Sequence, residues 1–543
     1  MSATLDFRDL AVRVVDDLLR ADPVSATSLG DHRHDDRLPE QSRDAVAGRL
    51  RAIDEHLTAL DAIDDVELDV TDLVDLEILR AGLLASRFEL ADLRSLTWDP
   101  LQWNPGTALH LLMSREFAPA DERRASMRGR LAAIPDFLLD ARGQLDEMPH
   151  VHVETALQQL EGTRDLLDGA VREFVDDHVL VERAVAEVDD FRDWLTDRLP
   201  DARRNPRLGE VLYAATLWHR LDDDVSPARL LADAEAHLEL VADQLVEVAG
   251  EYLGRNTTSP GIVREALDDV ASGSPVTDRT VLALMQSALD RTTDFVRQAD
   301  LVTIPDLDVR LIEMPEIHRG VAVAYCDAPG PLESARVPTY VAVSPTPTGW
   351  SPERTASFYR EYNGIQLDGL TIHEAMPGHV LQLAHAQLLR TPTPVRRAAT
   401  SGVFVEGWAV YAEELMLARG YAPDGDPRRG LALRLQQLKM QARTTINAIL
   451  DVRVHAEGMT EDEALALMRD RGFQEEGEAV GKWRRALLTA GQLPTYFAGY
   501  RAVGAVAADL RVLHPDWSDR EVHDLMLGHG SPAPRHLRTL LGI

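Results

Sequence analysis

Cysteine is nearly absent from this chain. Cys326 is the one thiol in 543 residues, which excludes an intrachain disulfide framework and any cysteine-rich zinc ribbon. Within the apolar run VAVAYC it reads as a small buried residue, not as a nucleophile. Long apolar runs are missing too, since no stretch approaches the roughly 20 residues that a membrane span needs. The N-terminal stretch MSATLDFRDLAVRVVDDLLRADP scatters acids among its apolar residues. It lacks the basic start and continuous apolar segment of a secretory signal. These absences predict a soluble cytoplasmic protein. Positive charge is short as well: 57 Lys and Arg stand against 90 Asp and Glu, a net charge of -33. Such a surface repels phosphate backbones and anionic lipid, which argues against nucleic-acid and membrane partners.

What is present is ordinary for a globular chain with a large core: 45% hydrophobic and 27% charged residues. Most of it carries helical periodicity. In SPARLLADAEAHLELVADQLVEVAGEYLG, Ser226 is placed as an N-cap and Pro227 as the first helical residue. Leu238, Val241, Leu245 and Val248 recur at spacings of three and four until Gly254 ends the helix. Similar patterns run through DLVDLEILRAGLLASRFEL and RGLALRLQQLKMQARTTINAILDVRV. The exception falls between about 307 and 345, where LDVRLIEMP, RGVAVAYCDAP and RVPTYVAVSP are short, rich in Val, Ala and Tyr, and bounded by Pro and Gly. They predict a small antiparallel sheet, with RVPTYVAVSP a candidate edge for an extended ligand. The expected organisation is an N-terminal helical region, 1–300, and a region 301–543 that holds the sheet (301–350) and the motif described next, the two forming one interlocked unit.

The motif is TIHEAMPGHVLQ, residues 371–382. Imidazole nitrogen and carboxylate oxygen are good zinc ligands, and a catalytic zinc keeps three protein ligands and one open position. Two His ligands four apart on a helix share a face. His373 and His379 are six apart, which on a straight helix turns them to roughly 240° from one another. The pair can converge only if the helix breaks between them, and Pro377-Gly378 provides the break. Pro377 has no N–H to give the carbonyl of His373, and Gly378 tolerates backbone angles that other residues resist. The spacing therefore predicts a helix that widens over 375–378 and restarts at His379. A third ligand is offered by SGVFVEGWAVYAEEL, in which Glu406 is the one charge between Ser401 and Ala412. A carboxylate among Val403, Phe404, Val405 and Trp408 is costly to bury unless it is coordinated or hydrogen-bonded. Glu413, seven residues on, shares that face and is the reserve ligand or a group that orients a His.

These residues resemble the gluzincin metallopeptidases. More closely, HEAMPGHVLQ, FVEGWAVYAEEL and RALLTAGQLPTYFAG are similar to the bacterial family called domain of unknown function 885, across nearly the whole chain. That family carries H-E-A-x-P-G-H, E-G-W-A-x-Y-A-E and R-x(6)-Q-x(3)-Y-x(2)-G. Arg485, Gln492, Tyr496 and Gly499 match the last motif, whereas Ala490 and Ala486 depart from the family's usual Pro and Tyr. The resemblance implies a mainly α, zincin-like fold with the sheet beside an active-site cleft, and Zn2+ held by His373, His379 and Glu406. Glu374 becomes the general base that takes a proton from the attacking water. Tyr496 is the candidate for stabilising the oxyanion. Arg485, with Lys482 and Arg484 nearby, is the candidate for holding a substrate carboxylate.

The function these readings predict is zinc-dependent hydrolysis of amide bonds in peptides or peptide-like small molecules. Two alternatives stay open: a non-catalytic helical binding or scaffold protein that retains the fold, and a metal enzyme for a specialised non-peptide substrate. His385 reads as solvated on the polar side of LQLAHAQLL. GDHRHDDR, at 30–37, has the composition of a metal site but follows a Pro-bounded helix and reads as a solvated loop.

Overall fold

The structure is a computed structural model that describes residues 3–256, 259–314, 323–347 and 349–543. Helix accounts for 72% of the chain, as the periodicity predicts, and the sheet among the described residues has three strands. The helix expected at 227–254 is typical. The Ser226 hydroxyl accepts from the Arg229 N–H, Pro227 is the first residue of helix Pro227–Leu253, and Gly254 closes it with φ +65. Leu238, Val241 and Leu245 are buried, while Val248 is half-buried and Ala249 takes the buried position beside it.

The chain divides into two compact units, each assembled from separated segments. The first comprises 1–206, 329–337 and 390–399. Its core is built by helices Ala120–Gln144, His150–Leu166 and His178–Arg198 around Trp103, Leu109, Leu138, Leu160 and Phe191. The second comprises 207–328, 338–389 and 400–543. The dividing line thus falls at 206 and not at 300. Helix Pro227–Leu253 packs along helix Pro427–Val452, and helix Val281–Gln298 packs on helix Gly364–Glu374, so residues 207–300 share a core with the motif region.

The sheet belongs to the second unit. Strands β1 (Val309–Glu313), β2 (Ala324–Asp327) and β3 (Thr339–Val343) lie in the order β1-β3-β2. Residues 319–322 of the second expected strand lie outside the described residues. The sheet is mixed, not antiparallel: β1 runs parallel to β3, and β2 antiparallel to it. Composition and spacing mark strands but say nothing of which non-consecutive strands pair, and here β3 enters between its two predecessors. The edge proposed for RVPTYVAVSP is also corrected, because β3 is the central strand; β2 is an edge, and it lies against helix Gly364–Glu374. Among the described residues no helix is long and apolar enough to cross a membrane.

Candidate metal centre

The centre is carried by four helices of the second unit. Helix Gly364–Glu374 begins where the Asn363 side chain accepts from the N–H groups of Ile365 and Gln366, and it ends on the His-Glu pair. Helix His379–Leu388 restarts immediately at the second His. Between them the ladder is rewired as the spacing predicts. The N–H of Met376 reaches the Thr371 carbonyl at 3.1 Å, and that of Gly378 reaches the Ile372 carbonyl at 2.9 Å, six residues back. The Met376-Pro377 bond is cis. A Cβ at position 378 would overlap the carbonyl oxygens of Ile372 and His373, so the close turn admits only glycine. The Trp408 indole N–H donates to the Pro377 carbonyl at 2.8 Å and ties the break to helix Gly402–Ala418.

That tie brings Glu406 under the two imidazoles. His373 Nε2 and His379 Nε2 each lie 3.6 Å from Glu406 Oε2, and one ligand atom from each of the three residues falls within 4.8 Å of the other two. The rings meet edge to face with centroids 4.8 Å apart. At 3.6 Å the contacts are longer than hydrogen bonds. They are close to the separation of about 3.3 Å that two ligands have when each sits about 2.0 Å from a tetrahedral zinc. Glu406 Oε2 is buried and has no hydrogen-bond partner, an arrangement that costs free energy in the bare protein and is relieved by a cation. The donor set of two imidazoles and one carboxylate is one that zinc accepts.

The supporting groups are equally specific. Glu413 Oε1 lies 2.7 Å from His373 Nδ1 and is buried. It fixes the tautomer that leaves Nε2 facing Glu406, the arrangement seen around metal-bound histidines. Glu413 is therefore an orienting group, not a member of the three-residue cluster. Glu374 accepts from the Cys326 backbone N–H of β2 at 3.0 Å, so the expected buried thiol contributes through its main chain, while the residue itself is half-buried. Burial drives the Glu374 carboxyl pKa upward against the pull of His373 and His379, with Glu406 adding to the rise. Burial alone would raise Glu406 too, yet its two histidines hold it well below the usual carboxylate range. For His373, burial opposes protonation, but Glu406 and Glu413 raise its pKa well above the ordinary value.

Tyr496 joins through a close helix crossing. A Cβ at Gly407 would overlap the backbone of Gly499, and a Cβ at Gly499 would overlap the Val403 carbonyl, so helices Gly402–Ala418 and Thr495–Leu513 meet main chain to main chain. Burial raises the Tyr496 hydroxyl pKa, Glu406 raises it further, and Arg485 and His373 oppose. Tyr496 is thus within electrostatic reach of both the cluster and Arg485. Arg485 itself donates to Gln492 Oε1 at 2.8 Å. The remaining sequence candidates fall elsewhere. His385 Nε2 lies 2.8 Å from the Thr303 carbonyl, half-buried and outside the cluster. His32 of GDHRHDDR is no solvated loop residue: its ring stacks on Phe117 at 3.8 Å and its nitrogens reach Asp35 and Glu333, each at 2.9 Å. Sequence reasoning missed Trp408, the Cys326 amide and the Gly407–Gly499 crossing; the paired motif glycines are the one signal that could have marked the last.

Residues 23–541 match the family model described as "Bacterial protein of unknown function (DUF885)". No curated protein matches the sequence. Among solved structures, "a putative lipoprotein of unknown function from Shewanella oneidensis" is similar with a TM-score of 0.82 and 27% identity, covering 99% of this chain and 100% of that one. "The putative lipoprotein from Colwellia psychrerythraea" is similar with a TM-score of 0.81 and 16% identity, covering 100% and 99%. An M32 carboxypeptidase from Deinococcus radiodurans R1 reaches a TM-score of 0.36 at 12% identity, too low to carry an argument. The lipoprotein description of the Shewanella oneidensis protein overturns the cytoplasmic expectation. That expectation rested on N-terminal composition, which is weaker evidence than a whole-chain likeness.

Proposed function

The chain belongs to the bacterial family DUF885, and on that premise we propose that it is a zinc-dependent hydrolase of amide bonds in peptides or peptide-like small molecules. The observation that carries this reading is the convergence of His373, His379 and Glu406 around a buried Glu406 oxygen that has no hydrogen-bond partner. A zinc ion held by these three residues supplies Lewis acidity toward a water molecule and the substrate carbonyl.

The chain's own groups supply the rest. Glu374, anchored through the Cys326 N–H, takes a proton from the attacking water on its carboxylate and delivers it to the departing nitrogen. A half-buried carboxyl with an upward-shifted pKa suits both halves of that transfer. The Tyr496 hydroxyl donates to the carbonyl oxygen as negative charge gathers there. Glu413 keeps His373 in the required tautomer. Strand β2, an edge strand whose Cys326 amide already serves Glu374, is suited to align an extended substrate beside the centre.

The test is metal analysis of protein purified without chelator, paired with a peptide library assayed by mass spectrometry. Near-stoichiometric zinc and chelator-sensitive cleavage are expected. Zinc below about a tenth of an equivalent would overturn the reading.

A further inference from the structure

The turn 489–494 joins helix Glu476–Leu488, which carries Arg485, to helix Thr495–Leu513, which carries Tyr496. It is anchored by the end of helix Pro427–Val452 and by the segment Arg453–Glu457 that follows. The Asp451 carboxylate, fully buried, accepts at Oδ2 from the Gly491 N–H at 2.7 Å and from the Tyr213 hydroxyl at 2.8 Å. Its Oδ1 is buried and has no hydrogen-bond partner. One turn on, His455 Nε2 lies 2.9 Å from the carbonyls of Ala486 and Thr489. Carbonyls only accept, so Nε2 carries the proton and donates to both. The Tyr213 ring stacks on the His455 ring with centroids 5.5 Å apart, which joins the two anchors into one.

A fully buried carboxylate is costly, and the two hydrogen bonds that Asp451 accepts come from neutral donors. Burial pushes its pKa up to about 7, with the Tyr213 and Gly491 bonds opposing. What this carboxylate fixes is the main chain of residue 491, and the next residue is Gln492. Gln492 Oε1 accepts from Arg485 Nη2 at 2.8 Å. The Gln492 carbonyl accepts from the Thr495 N–H at 3.2 Å and from the Thr495 hydroxyl at 2.7 Å, at the first residue of helix Thr495–Leu513. Tyr496 is the second residue of that helix. Three residues on, Gly499 meets Val403 and Gly407 main chain to main chain, beside Glu406. Contacts thus run unbroken from Asp451 to the helix that supplies a proposed metal ligand. Nothing local in the sequence marks this role, because the partners of Asp451 lie 238 and 40 residues away.

We infer that Asp451 is a positioning residue for the proposed chemistry: by fixing the turn at Gly491, while His455 fixes it at 486 and 489, it sets where Tyr496 stands relative to Glu406. The inference rests on the hydrolase reading for what is positioned, but not for the tie itself.

The experiment follows the turn and the reaction separately in the full chain. Asp451→Leu, Asp451→Asn and Tyr213→Phe are compared with the wild type by mass-spectrometric hydrogen exchange, by zinc content, and by kcat and KM on a peptide that the wild type cleaves. Asp451→Leu should raise exchange over 486–495 at least about tenfold and leave zinc content and exchange over 402–418 unchanged. It should lower kcat at least about tenfold, with KM moving much less. Asp451→Asn, whose carbonyl accepts from the same two donors, should restore the protection and most of kcat. Tyr213→Phe keeps the Gly491 bond and should fall between; if Asp451→Leu does not fold, Tyr213→Phe decides, and it must raise exchange over 486–495 and lower kcat together. Unchanged exchange over 486–495 in both Asp451→Leu and Tyr213→Phe, or raised exchange with unchanged kcat, overturns the inference, as does loosening spread over the whole chain. Raised local exchange in a protein whose wild type cleaves no peptide would instead count against the hydrolase reading alone.

Discussion

Two clusters of histidine and acid look alike in the sequence and part ways in the structure. In the first unit, both His32 nitrogens meet carboxylates, from Asp35 and from Glu333, at 2.9 Å, and the ring is stacked on Phe117. In the second, His373 and His379 face Glu406 across 3.6 Å, and Glu406 Oε2 has no hydrogen-bond partner. The first cluster is complete as it stands; it joins residue 32 to the segment 329–337 within its unit. The second leaves Glu406 Oε2 without a hydrogen bond, a gap that the proposed cation would fill. Composition cannot separate a clamp from a ligand set, but the count of unsatisfied buried atoms can.

Substitutions should break the two clusters in different currencies. The largest effect is expected for Glu374→Gln, which should keep zinc and lower hydrolysis by about a thousandfold; full activity in that variant would remove Glu374 as the base. Glu406→Ala should lose stoichiometric zinc on gel filtration, because two imidazoles alone make a poor site. Glu413→Gln should retain zinc with affinity weakened about 10- to 100-fold, readable by competition with a coloured chelator. If Glu413→Gln loses the metal while Glu406→Ala keeps it, the ligand assignment must be exchanged. His32→Gln should leave zinc content untouched and cost about 2 kcal/mol of unfolding free energy, since two carboxylates lose a charged partner. A change in metal binding there would dissolve the distinction between the clusters.

The smallest effect is one of pH. Burial alone would lower the His32 pKa, but its bonds to Asp35 and Glu333 carry it up to about 9. A folded pKa above the unfolded one stabilises below the unfolded value, and that stabilisation is lost as pH rises through the folded one. Thermal unfolding of the wild type should therefore weaken relative to His32→Gln between about pH 6.5 and 9. Parallel profiles would mean that His32 carries no charge in the folded protein.

The helix break at 375–378 was legible because Pro377 and Gly378 act on their immediate neighbours, and a six-residue interval has only one way to bring two imidazoles together. Glu406 was legible because a lone carboxylate in an apolar helix demands a reason. His32 was misread because its second partner lies 301 residues away, where no local pattern reaches. The sheet order was invisible for a similar cause: the parallel pairing of Val309 with Thr339 depends on the packing of helices around it, not on the strands' own residues.

The crossing at Gly407 and Gly499 has a consequence for how the protein can change over time. Where two helices are held apart by side chains, drift in those side chains widens or narrows the gap. Here the gauge between Glu406 and Tyr496 is the thickness of the main chain, already at its minimum. Mutation at either glycine can only lengthen it, so sequence around the site can diverge widely while the span of the proposed reacting groups stays the same.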